Sequence, residues 1–243
     1  MVINSYTELS GHYDRIMTSG YYDYDDYARA LLTLVGDRRR LLELGTGTGL
    51  VVQKLLDQAA TDLDITGIDH TGSMLAQARA RLGGRARFLL QDILDTDLPP
   101  ASFDMAFSVG GIWLFTPGDG PDDTVMCSHL LEDADNVKGL ENVHAAVRPG
   151  GRLVLSAQAP HRDYERPLPG GLVYAQRIQR VPGGRIVKDY YVKRPDGTVE
   201  AHQHCEYRVH TADEAERLLT RCGFRFERVS EDRLFHVYGR LPA

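Results

Sequence analysis

Cysteine is scarce, with only Cys127, Cys205 and Cys222 in a chain of 243 residues. They are odd in number and widely spaced, and none forms a Cys-x-x-Cys pair. That argues against a disulfide framework or a zinc site and for a reducing compartment. An excess of basic charge is also missing. Lys and Arg number 28 against 34 Asp and Glu, a formal net charge of −6. Nucleic acid is disfavoured as a partner, because phosphates call for a basic surface. The one dense basic run, Arg38-Arg39-Arg40, reads as a solvated turn ahead of a strand. No apolar stretch is long enough to span a bilayer, and the polar start, Met1 to Gly11, lacks the apolar centre of a secretion signal. The expectation is a cytoplasmic protein with a small-molecule partner and neither nucleic acid nor membrane, with homodimer formation left open.

What is present is 42% hydrophobic residues, sufficient for an α/β core, and a clear alternation of elements. Residues 6–17 and 25–35 have helical spacing, joined at Tyr21 to Tyr24. Short apolar runs at 40–44, 64–68, 87–90, 103–109 and 152–157 read as strands. Helical patterns at 50–58, 73–82 and 137–147 separate them. Such alternation predicts a doubly wound, mainly parallel sheet covered on both faces. A loop rich in Gly, Pro and Asp runs from Thr116 to Asp123. After Ala157 the rhythm changes, and strands at 172–180, 185–193 and 198–210, divided by Pro-Gly-Gly and Pro-Asp-Gly turns, read as an antiparallel insertion. Thr211 with Glu214 is a capping box for a helix to Arg221. Strands at 224–229 and 234–239 close the chain.

The segment Leu41-Leu42-Glu43-Leu44-Gly45-Thr46-Gly47-Thr48-Gly49 carries most of the chemistry. A buried strand enters a turn with three alternating glycines, where a ligand can approach the backbone and the N–H groups opening the next helix. A dinucleotide fingerprint needs a glycine where Leu50 stands, and a Walker loop needs a Gly-Lys-Ser/Thr ending. Neither is found. The next strand ends at Asp69, whose carboxylate can accept hydrogen bonds from both hydroxyls of a ribose. The following strand ends near Asp92, where an acid beside the apolar Ile93 can hold an adenine amino group and cover its ring. Ligands of open α/β sheets bind at these carboxyl ends.

In these features the sequence resembles the class I S-adenosylmethionine (SAM)-dependent methyltransferases. The likeness covers Leu41 to Ala157 well and Leu218 to Leu241 moderately. Glu43 to Gly49 is similar to the family's first motif, Ile68-Asp69 to the second, Gln91-Asp92-Ile93 to the third, and Phe103 to Val109 to the fourth. Arg148-Pro149-Gly150-Gly151 and Cys222-Gly223-Phe224 match later segments. The resemblance implies a seven-stranded Rossmann-like sheet in a single domain over 1–243. Its parts would be an N-terminal helical lid (1–36), a SAM-binding core (37–157), a small antiparallel substrate cap (158–210), and a C-terminal helix with closing strands (211–243). It implies that Glu43, Gly45, Thr46, Gly47 and Gly49 face the methionine part of SAM, and that Asp69 binds the ribose. His70, Met74, Asp92 and Ile93 would surround the adenine, and Ser108 would lie beside the sulfonium. S-adenosylhomocysteine would be the product.

Methyl transfer chiefly requires alignment of two bound molecules and exclusion of water, and needs no metal in principle. Aromatic faces favour a sulfonium, which points to Tyr6, Tyr13, Tyr21 and Tyr22. Tyr13-Asp14 resembles the segment that closes over the cofactor in glycine N-methyltransferase-like and amino-sugar N-methyltransferase-like enzymes. A hydroxyl nucleophile needs a base; His129, His161, His202 and His204 are candidates, and an amine with a reachable neutral form needs none. Tyr13, His129 and His204 are taken as the catalytic candidates. His202 and His204 share one strand face, and without a companion of convincing spacing they are not assigned a metal. Tyr21, Trp113, Tyr174, Arg177, Tyr190 and His202 are the acceptor-pocket candidates, with Trp113 equally suited to anchor the core. Transfer to nitrogen is slightly preferred over oxygen. The rival readings are a protein that binds SAM but catalyses a non-methylating reaction, and, less favoured, a nicotinamide-dependent oxidoreductase. The latter is opposed by Leu50 and by the lack of a Tyr-x-x-x-Lys pair after the fourth strand.

Overall fold

The computed structural model describes residues 4–118, 120 and 123–242. In chain order it forms α1 (Tyr13–Ile16), a π-helical turn (Met17–Tyr21), α2 (Tyr24–Val35), β1 (Arg40–Leu44), α3 (Leu50–Gln58), β2 (Asp64–Asp69), α4 (Gly72–Leu82), β3 (Arg87–Leu90) and β4 (Phe103–Ser108). Then come β5 (Trp113–Pro117), β6 (Thr124–Ser128), α5 (Asp133–Ala146), β7 (Val147–Ser156), β8 (Tyr164–Pro167), β9 (Val173–Val181), β10 (Arg185–Lys193), β11 (Val199–Thr211), α6 (Ala212–Arg221), β12 (Phe224–Val229) and β13 (Phe235–Arg240). Seven strands form the main sheet in the order β3-β2-β1-β4-β7-β13-β12. It is parallel from β3 to β7, and β13 runs antiparallel to both its neighbours. The doubly wound, mainly parallel sheet expected from the alternation is the one observed.

Side-chain parity on β1 explains the two-faced core. Leu41 points to the layer that holds Leu31 of α2, Val52 of α3 and Leu75 of α4. Leu42 and Leu44 point to the other layer, with Leu140 of α5 and Leu219 of α6. Successive strand residues face opposite sides, so five residues serve both cores. The helices start where the local chemistry predicts. Asp23 accepts the backbone N–H groups of Asp25 and Asp26 at 3.1 and 3.0 Å, and Thr211 and Glu214 form the reciprocal capping box.

Asp104 ties three segments together. It accepts the N–H groups of Arg39 and Arg40, each at 2.9 Å, and Nε of Arg148 at 2.7 Å. The basic run before β1 therefore has its backbone anchored by a carboxylate of β4. Burial alone would raise the Asp104 carboxyl; the two backbone donors and Arg148 outweigh it and hold it well below its ordinary 3.8. A carboxyl depressed by folding adds stability that is complete above the unfolded value and is lost as pH falls through the folded one. Asp104→Asn is expected to cost about 1.5–3 kcal/mol for each charged hydrogen bond it weakens. Urea unfolding should show the full loss at neutral pH and a much smaller gap near pH 2. An equal gap at both would mean that the charge contributes nothing.

The other sheet departs most from expectation. It has six antiparallel strands in the order β5-β6-β11-β10-β9-β8. Three were expected between 158 and 210. Residues 164–167 add a fourth in a stretch that reads as irregular, and 113–117 with 124–128 supply two more from within the 37–157 stretch. The loop between β5 and β6 lies within the expected Thr116 to Asp123 loop; its Asp119, Pro121 and Asp122 are outside the described residues, as are Met1 to Ile3 and Ala243. Phe115 also bridges Ala157 in parallel, so the two sheets meet where β7 ends.

The start of the chain is less helical than its periodicity predicts. Only Tyr13–Ile16 is α-helical before the π-helical turn. Ser10 Oγ donates to the carbonyl of Thr7 at 2.8 Å, a local side-chain bond that competes with helix hydrogen bonding.

No described helix is long and apolar enough to cross a membrane.

Candidate active site

The glycine turn is stapled to the end of β2. The N–H groups of Gly45 and Thr46 donate to the carbonyl of Ile68 at 2.9 and 3.0 Å. Gly47 N–H donates to one carboxylate oxygen of Asp69 at 2.9 Å, and Thr71 N–H to the other at 2.8 Å. Asp69 thus shapes the turn while keeping the remaining lone pairs of both oxygens for a ligand. Gly47 has φ +55°, and a Cβ there would point towards the methyl of Met74 at 3.5 Å and the ring of Tyr13. The Thr46 hydroxyl donates to the buried Glu43. Burial pushes the Glu43 carboxyl up to about 8, opposed by the Thr46 hydrogen bond and reinforced by the charge of Asp69.

A cavity of about 390 Å³ opens at this turn. Gly45, Gly47, Asp69, His70, Met74, Asp92, Ile93, Tyr13 and His129 are among the residues that line it. Asp92 accepts the N–H of Leu94 at 2.9 Å. Glu43, Thr46, Gly49 and Ser108 stand behind this lining. Gly49 caps α3, and Ser108 Oγ donates to the carbonyl of Leu44 at 3.2 Å. His129 is enclosed by the rings of Tyr6 and Tyr207. Desolvation, with smaller contributions from His70 and Lys188, lowers it to about 3, so it is neutral.

A second chamber, with free space of about 20 Å³, lies beyond Tyr6, Tyr13 and Gly110, which line both spaces. Tyr21, Tyr190 and Tyr207 form its walls together with Tyr22, Gln158, His161 and Lys188. Two of the expected acceptor residues, Tyr21 and Tyr190, therefore meet here. Tyr174 is buried one layer behind, edge-on to Tyr21, with its hydroxyl on Gln176.

Four of the expected site residues are placed elsewhere. Trp113 is fully buried in the core, where its Nε1–H donates to Asn136 at 2.8 Å. Arg177 pairs with Glu165 on the outer face of the antiparallel sheet. His202 and His204 do share a face, as their spacing predicts. That face is the solvent side, where both contact Asp189, at 2.7 and 3.0 Å. The register on β10 and β11 decides this. Asp189 and His204 are paired and point outward, while Lys188 and Cys205 point inward. Among the described residues no group of three or more His, Cys, Asp or Glu is placed to hold a metal.

Asp14, noted in the sequence only as the neighbour of Tyr13, accepts the Thr48 hydroxyl at 2.5 Å and pairs with Arg81, fixing the N-terminal segment to the glycine turn. Asn4 and Lys188 were not singled out from the sequence. Asn4 donates to the carbonyls of His129 and Glu206 at 2.9 and 2.8 Å. Lys188 has a usable signal. Ile186, Lys188, Tyr190 and Val192 alternate along β10, and all four are buried, so parity alone puts the lysine inside.

Residues 41–122 match a family model described as a methyltransferase domain. An uncharacterized methyltransferase of Geobacillus sp. (strain WCH70) is 28% identical over 134 residues, covering 55% of this chain and 61% of that protein. The chain thus spans about three-fifths of the length of that curated relative. A SAM-bound amino pentose methyltransferase from Micromonospora echinaspora superposes with a TM-score of 0.69 at 21% identity, over 94% of this chain and 96% of the other. A sugar N-methyltransferase from Streptoalloteichus sp. ATCC 53650 gives 0.66 at 18% identity, over 95% and 93%. Residues 41–122 thus match a methyltransferase domain, and the chain as a whole shares the fold of these solved methyltransferases.

Proposed function

We propose that this protein transfers the methyl group of SAM to a nitrogen or oxygen of a small molecule. One observation carries the reading. The cleft at the glycine turn and a small tyrosine-lined chamber share Tyr6, Tyr13 and Gly110 as lining residues, which would bring the reacting group of an acceptor next to a methyl donor.

The chain's own residues fit the donor. Gly47 leaves open the space that a Cβ would fill. Asp69 stands at the cleft wall with lone pairs for a ribose, and Ile93 beside Asp92 offers an apolar surface and an acceptor for adenine. SAM supplies an electrophilic methyl carbon on a positive sulfur. Tyr13 and Tyr6 offer ring faces that favour a cation. The N-terminal segment, tied down through Asp14 and Asn4, would keep water out, and holding two reactants in line can supply roughly 7–11 kcal/mol. In this reading residues 1–36 act as the lid and the antiparallel sheet as the acceptor cap, in the service of specialised metabolism. Two relatives of the same fold are, by name, an amino pentose and a sugar N-methyltransferase, which puts amino sugars into the first acceptor screen.

The test is calorimetric titration with SAM, S-adenosylhomocysteine, NAD(H) and NADP(H), followed by a mass-spectrometric screen for methylated acceptors. The expected result is micromolar binding of the two sulfur ligands alone and a product heavier by one methylene. Nicotinamide binding without SAM binding would overturn the cofactor assignment. SAM binding with turnover to a non-methylated product would overturn the transfer.

A further inference from the structure

Lys188 is buried where β10 packs against the N-terminal segment, with 1% of its surface exposed. Its Nζ donates to the hydroxyl of Tyr21 at 2.5 Å and sits over the rings of Tyr21 and Tyr190, at 5.2 and 4.7 Å from their centroids. Among the described residues, no carboxylate lines its chamber. A buried charge normally has an ionic partner, because desolvation costs several kcal/mol. The titratable groups around this one are tyrosine hydroxyls, the thiols of Cys127 on β6 and Cys205 on β11, and two imidazoles, His129 and His161. None is an anion at neutral pH. An apolar side chain in the alternating row between Ile186 and Tyr190 would be cheaper.

Two further polar groups face the same space without partners. Nε2 of Gln158 and Nδ1 of His161 are buried and bond to nothing among the described residues, and both residues line the chamber. Gln158 Nε2 and the Tyr22 hydroxyl crowd over Gly110, within 2.9 and 2.6 Å of where its Cβ would stand, at the passage to the cofactor cleft. The chamber thus offers one amine, unpaired hydrogen-bonding groups and aromatic faces, and no anion. An acceptor arriving as an ammonium would find no counter-ion here. The chamber has room for about one small group, so an acceptor whose ring lies in the wider cleft could place an acidic hydroxyl there, where it would find a proton acceptor and a cation for the resulting oxyanion.

We infer that Lys188 is the proton acceptor for a phenol- or enol-type hydroxyl, and that the chemistry is O-methylation. This rests on the proposed methyl transfer and narrows it to oxygen. The acceptor O–H bond breaks and its proton passes to the neutral Nζ. The oxygen pair forms the new C–O bond while the methyl–sulfur bond breaks towards sulfur. The products are a methyl ether and S-adenosylhomocysteine, and the ammonium returns its proton to water as products leave. Burial brings the Lys188 amine down from 10.5 to about 7, so a large share of it is free base at neutral pH.

The test uses 4-nitrophenol, whose phenolate absorbs visible light, bound to the full chain saturated with S-adenosylhomocysteine. In the wild type the bound phenol should ionise at least about one pH unit lower than in Lys188→Met, equivalent to about tenfold in the ionisation constant. Lys188→Gln serves as a second variant, and unfolding curves check that both remain folded. Identical ionisation in wild type and variants overturns the inference, as does failure of the probe to bind the saturated wild type. Absence of S-adenosylhomocysteine binding itself would instead sink the methyl-transfer reading, so the two failures are distinct. With a turnover assay, loss of Lys188 should lower kcat at least about 100-fold with little change in KM for SAM. It should also remove the rise of kcat through the pH range where the amine loses its proton. Equal kcat in the variants would overturn the base role.

Discussion

Gly47→Val should reduce SAM affinity by at least about 100-fold, or about 2.7 kcal/mol. Three effects act together. A β-branched residue resists φ +55°, a conformation that costs of order 1–3 kcal/mol outside glycine. Its side chain would stand in the cleft between Met74 and Tyr13, where the donor is proposed to lie. Relaxing the strain would move the N–H that Asp69 accepts. Gly83 provides the control. It has the same φ of 55° at the end of α4, and nothing lies within 4 Å of its Cβ position. Gly83→Val therefore carries the backbone strain without the obstruction. The expected calorimetric result is near-normal SAM binding in Gly83→Val and none measurable in Gly47→Val. Equal effects would mean that the turn is merely structural.

Asp69→Ala is the second large effect. It should weaken binding about 10- to 100-fold, since hydrogen bonds to a charged group contribute about 1.5–3 kcal/mol each. Part of the loss is indirect, because the N–H groups of Gly47 and Thr71 lose their acceptor. Asp69→Asn should fare little better. One of its two ends would present N–H donors to a backbone N–H. The ribose contribution can be isolated with 2′-deoxy-S-adenosylhomocysteine. Removing the hydroxyl should cost the wild type affinity and cost Asp69→Ala almost nothing more, a coupling of the kind a double-mutant cycle measures. The same penalty in both proteins would remove Asp69 from the ribose.

The main sheet was legible in the sequence because its signals are local. Each of β1 to β4 is a short apolar run with a glycine or an acid at or within two residues of its end, and Asp69 and Asp92 are two of these. The antiparallel sheet was only half legible. β6 pairs with the end of β11, where Cys127 faces Val209, and nothing near residue 127 announces a partner more than eighty residues away. Thr116 and Pro117 read as loop although they finish β5. In the site, spacing put His202 and His204 on one face but could not say which. That was decided by the register of β10 and β11, whose inward row includes Lys188. Trp113 was undecided between pocket and core until its partner, Asn136, was known.

The Asn136 side chain accepts from Trp113 and from Ser128 at 2.6 Å, and donates to the carbonyls of Leu130 and Glu132. It locks α5 to β5 and β6, and through β6 to β11 and β10. The wall of the tyrosine chamber that bears Lys188 is therefore fixed to the same frame as the cofactor cleft. The opposite wall, from Asn4 to Tyr22, is held by the buried Leu9, Ile16 and Met17 together with side-chain contacts from Asn4, Asp14 and the tyrosines. One wall belongs to a sheet and the other to a single segment without strands, and in the proposed lid reading this would impose a sequence in time. The acceptor would enter and the product leave when the N-terminal wall lifts, whereas the reacting groups on the sheet wall would stay aligned throughout. Turnover would then be governed by the closing and release of a segment of about twenty residues, a conformational clock of the kind that sets the pace in many enzymes.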